Sequence, residues 1–108
     1  MAKGLNSAAA SIDAVITLLA QHAFEARDIR NSLQEQLTTI TSANIPRQIE
    51  ALRRVRSMTH PKLLGDVSLK GISWSIWSNA LERMRRECGR AINNIKKAQV
   101  LEKGNRDI

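Results

Sequence analysis

Residues 74–98 read WSIWSNALERMRRECGRAINNIKKA. Trp74, Trp77, Leu81, Met84, Cys88, Ala91, Ile95 and Ala98 recur at strict 3,4 spacing, the period of an α-helix with one buried stripe. A strand would alternate every second residue, and this stretch does not. Ser73, Ser75 or Ser78 is placed to cap the helix start, and Gly104 to end it. The stretch predicts a helix over about 73–102.

Working outward, the two prolines punctuate the chain, because proline has no N–H and restricts the residue before it. Pro46 stands in the first turn of a helix expected over about 46–58, with Asn44 or Ile45 at the cap and Ile45, Ile49, Leu52 and Val55 on its apolar side. Arg47 and Arg54 project nearly opposite that side, and Arg53 and Arg56 flank it. Before Pro46, Ile12, Val15, Leu19, His22, Ala26, Ile29, Leu33 and Ile40 keep a mostly 3,4 spacing, with Gln36 or Leu37 in the gap. That narrow seam predicts one helix over about 7–41, capped by Asn6 or Ser7. Such a helix is on the order of 50 Å long, too long for a compact domain of this size. Either a kink breaks it or the molecule is elongated and pairs with a second copy; the expectation favoured is an elongated homodimer with Ile12, Val15, Leu19, Ile29 and Leu33 at its interface. Residues 59–73 alternate apolar and polar side chains in part; lone short strands lack partners in so helical a chain, and the reading is loop, then helix.

The fold class expected is all-α, with three main helices in a single domain of 108 residues. Aromatic residues are only 3% of the chain, which disfavours β-sandwiches and leaves few platforms for stacking bases. One cysteine, Cys88, excludes an internal disulfide framework and fits a reducing compartment. The start carries a single base, and Asp13 interrupts the apolar stretch that follows, unlike a secretory signal. No apolar run approaches the roughly 20 residues of a membrane span. The expectation is a soluble, intracellular protein of host or viral cytoplasm.

Charge divides the chain. Residues 1–44 carry three bases against four acids, a balance of −1; residues 45–108 carry fourteen against six, a balance of +8. The pI is near 10.5. The first part therefore reads as an assembly segment and the second as the part that meets a polyanion. On a helical wheel Arg83, Arg86, Arg90 and Lys97 fall opposite the core stripe, with Asn93 at their margin, and cover roughly 20 Å of helix. Guanidinium groups hold phosphate oxygens bidentately. Arg47, Arg53 and Arg54 extend the set if the two helices lie side by side. Expected is phosphate-backbone binding of a duplex with little sequence readout, RNA ahead of DNA because duplex RNA is recognised through shape and phosphate or 2′-OH contacts.

One Cys and two His cannot build a zinc finger. The acids are scattered, and no metalloprotease, nucleophile-elbow, P-loop or dinucleotide motif occurs. The expectation is no catalysis, no cofactor and no metal. Trp74, Trp77 and Cys88 read as core, and His22 as a polar seam residue. The runner-up function is a helical adaptor whose basic face docks an acidic protein. In architecture the chain is similar to the small helical, dimeric, double-stranded-RNA-binding silencing suppressors of insect viruses. It also resembles helical proteins that coat viral or plasmid DNA. Either likeness implies a viral or mobile-element accessory role, and neither carries over a residue assignment.

Overall fold

The computed structural model describes residues 4–23, 26–42, 44–58 and 69–106, with side chains through residue 100. Among these it is all-helical, without a strand. The helices are α1 (Leu5–His22), α2 (Arg27–Ser42), α3 (Ile45–Met58) and α4 (Trp74–Arg106).

The 3,4 pattern over 7–41 is right in its period and wrong in its continuity. Ala23 leaves helical geometry at φ −142°, and Ala26 restarts the chain with its N–H on the Ala23 carbonyl at 3.0 Å. No proline or glycine forces this break. Burial does. A straight helix strands both halves of the seam in solvent, whereas two helices joined by four residues fold back antiparallel and cover each other. Ile12, Val15, Leu19, Leu33 and Ile40 all enter one core, and Ile29 packs against its edge. Of the side chains expected at a dimer interface, Ile12, Val15, Leu19 and Leu33 thus lie in the interior of a single chain, and Ile29 is partly buried at its edge.

Cap positions shift accordingly. α1 is entered through Gly4 at φ +91°, not through Asn6 or Ser7. A Cβ at Gly4 would stand 3.0 Å from Asn94 Nδ2 and 3.4 Å from the Ala91 backbone. At the far end of α1, Lys70 donates its N–H to the His22 carbonyl at 2.8 Å, and His22 Nδ1 lies 2.7 Å from the Lys70 carbonyl. This reciprocal pair satisfies a carbonyl that the helix end leaves without an internal partner. It gives His22 a structural role off the expected seam. These two contacts show that α1 runs antiparallel to α4. Asn44 Oδ1 accepts the Arg47 N–H at 3.2 Å and caps α3 as expected, with Pro46 in its first turn. Gln48 Nε2 donates to the Ile40 carbonyl at 2.8 Å and ties α3 back to α2. Ser73 Oγ accepts the Ile76 N–H at 3.4 Å at the head of α4.

α4 supplies Trp77, Leu81, Met84, Cys88, Ala91, Ile92 and Ile95 to the core. Two members of the expected stripe do not follow. Trp74 is 62% exposed and Ala98 is exposed; Ala98 lies past Ala91 and Asn94, where Gly4 begins α1. α4 also continues through Gly104 to Arg106, since a glycine only weakens a helix that neighbouring turns sustain. Its 33 residues account for principal extents of 57 × 23 × 21 Å. His60 and Pro61, like the rest of 59–68, lie outside the described residues, as do Phe24 and Glu25.

Trp77→Ala is expected to lower unfolding free energy by about 3–5 kcal/mol in urea titration, as loss of a fully buried large side chain does. Trp74→Ala is expected to change it by less than about 1 kcal/mol. Sedimentation equilibrium is expected to return the monomer mass of 12.0 kDa; twice that mass would require an interface other than the α1–α2 seam.

Candidate nucleic-acid interface

The exposed face of α4 is what its two neighbours leave uncovered. α1 lies along one flank, where Gly4 meets Ala91 and Asn94. α3 lies along the other, where the Arg56 guanidinium crosses Gly89 with Cζ 3.6 Å from where a Cβ would be. Between them Glu82, Arg83, Arg85, Arg86, Arg90, Asn93, Lys96 and Lys97 are all exposed. Among the described side chains of α4 this is six cations against one exposed carboxylate. The sign is set by sequence, and the outward direction by the packing of α1 and α3.

Glu87 departs from the pattern. It is nearly buried, and its Oε1 lies 3.8 Å from both Arg86 Nε and Arg90 Nη1. Contacts of that length are at the outer limit of an ion pair. They reach the guanidinium groups of the two arginines, whose side chains stay 60% and 62% exposed. Contacts this long to solvent-exposed arginines contribute little to stability.

The α3 arginines do not all join this line. Arg47 and Arg54 line a groove of about 200 Å³ against α2, together with Glu35, Gln36, Thr39, Glu50 and Ala51. Arg54 Nη2 sits 2.7 Å from Glu50 Oε1. The groove mixes both signs and faces away from α4, so these two arginines do not extend its row. Arg53 stands three residues before Arg56, about 60° further round α3, and is exposed. Arg56, Arg85 and Lys96 were not among the expected contacts. Their sequence signal is spacing from Gly89, four residues after Arg85 and seven before Lys96.

Among the described residues no group of acidic, His or Cys side chains is placed to hold a metal. No described helix is long and apolar enough to cross a membrane. Cys88 is fully buried, and burial is the main cause that pushes its thiol up from 9.0 to about 12. The Arg56 charge opposes that rise, and Glu87 adds to it. Such a thiol is neutral and unreactive near neutrality. Compared with known protein families, curated proteins and solved structures, the chain matches none of them.

A thiol reagent at pH 8 is expected to label Cys88 only as fast as the chain unfolds. The unfolded chain loses this proton near pH 9.0 and the folded chain keeps it to about 12. Stability is therefore expected to fall as pH rises through that window, and less so in Cys88→Ala.

Proposed function

We propose that this chain is a non-catalytic protein that holds duplex nucleic acid through its phosphate backbone on the exposed face of α4. The observation that carries this is the line Arg83, Arg86, Arg90 and Lys97, all exposed along one straight helix. The line is roughly 20 Å long, enough to follow several phosphates of one strand. Arg86 and Arg90 lie 3.8 Å from Glu87 Oε1 through their guanidinium nitrogens. Contacts to phosphate give register without sequence information, so binding is expected to tolerate any sequence. Duplex RNA stands ahead of DNA because its recognition rests on shape and backbone. A silencing suppressor or a packaging protein would use such a surface.

A second reading draws on Ile76, which is 55% exposed. It stands seven residues before Arg83 and thus on the same line. An exposed apolar side chain in line with arginines would fit an acidic protein with an apolar anchor.

Fluorescence anisotropy of labelled 25-base-pair RNA and DNA duplexes at two salt concentrations tests the first reading. The triple variant Arg83→Gln, Arg86→Gln, Arg90→Gln is expected to weaken binding to every sequence alike. It is also expected to flatten the log–log salt slope by about 2 to 3. A parent chain that binds neither duplex would overturn the proposal. Ile76→Ser is expected to leave duplex affinity unchanged; an acidic protein that binds the parent chain and not this variant would favour the protein-docking reading.

A further inference from the structure

A second line of cations runs beside the first. Arg85 and Lys96 lie four residues before and seven after Gly89, on the flank of α4 that abuts α3. At Gly89 the α4 line has no side chain of its own, and the Arg56 guanidinium from α3 lies in that place, 3.6–3.8 Å from where a Cβ would be. Arg53 follows one turn along α3. Arg53, Arg56, Arg85 and Lys96 are all exposed. Arg56 is engaged within the chain, so the other three carry the test.

The two lines lie roughly 110° apart around α4, and on a helix about 10–12 Å across their charged ends stand about 10 Å apart. That is the scale of a nucleic-acid groove: the wide, shallow minor groove of A-form RNA, or the B-form major groove of DNA, about 12 Å wide. Glu82 and Asn93 fall between the lines, where neither has to meet a phosphate. Resting on the function proposed above, we infer that α4 straddles a groove. Its outer line, Arg83, Arg86, Arg90 and Lys97, takes the phosphates of one strand, and its seam line, Arg53, Arg85 and Lys96 with Arg56, takes those of the other. A single strand can occupy only one line at a time. The surface therefore selects paired strands through spacing, with no contact to a base.

The test uses the full chain with Arg53→Gln, Arg85→Gln and Lys96→Gln together, against a duplex and a single strand of equal length. These side chains are exposed, and circular dichroism melting verifies that the fold is kept. Duplex affinity is expected to drop by about tenfold or more, and the salt slope by about 2 to 3. Single-strand affinity is expected to stay within about twofold of the parent, because the outer line remains. Glu82→Gln removes the carboxylate between the lines and is expected to tighten duplex binding severalfold, a gain that misfolding does not produce. If the seam variant keeps the parent's duplex affinity while the outer-line variant loses it, the second line is refuted and the proposed function stands. Equal losses for duplex and single strand refute selection of paired strands. If the parent binds no duplex, both fall.

Discussion

Everything in this molecule is arranged around the buried stripe of α4. From Trp77 to Ile95 it presents one apolar edge about 27 Å long that α1 and α3 must cover from two sides. Burial of that edge is non-directional and large. At about 25 cal/mol per Å² of apolar surface it outweighs the few backbone hydrogen bonds given up wherever the chain bends to reach it. The break at Ala23 is one such bend. Gly4 and the His22–Lys70 pair are the two ends at which α1 is fastened to the spine.

The same constraint makes the surface. Once α1 occupies one flank and α3 the other, the remaining arc of α4 faces water whatever its residues are. In this chain that arc is arginine and lysine, and its one buried acid, Glu87, sits at the base of the row. A rigid helix is a good carrier for such groups, because their spacing does not depend on loop geometry. Neighbouring α3 contributes on one side only. Arg56 turns toward α4 with Arg53 exposed one turn before it, whereas Arg47 and Arg54 turn toward α2 and share their groove with Glu35 and Glu50. Four arginines within ten residues thus divide between a cationic surface and a neutralised one.

Much of the fold was legible in the residues. The 3.6-residue period of the last helix, the Asn44 cap and the place of Pro46 rest on local chemistry that tertiary contacts had no reason to override. The row Arg83, Arg86, Arg90 and Lys97 was legible too, since helical periodicity places it opposite the core before any neighbour is known. Illegible were the features that depend on length matching between distant elements. Ala98 belongs to the stripe by period and is exposed because α4 runs on past the start of α1. The α1–α2 seam reads the same whether a second copy or the chain itself covers it.

Sequence alone therefore determined the helical class, the sign of the charge and the face of each helix on which it falls, because these follow from composition and a fixed 3.6-residue period. Tertiary structure decided where the first helix breaks, which apolar residues are covered, and which arginines share a surface. The physical reason is that burial is satisfied by any partner of matching shape. Which partner serves is fixed only when all the helices are in place together.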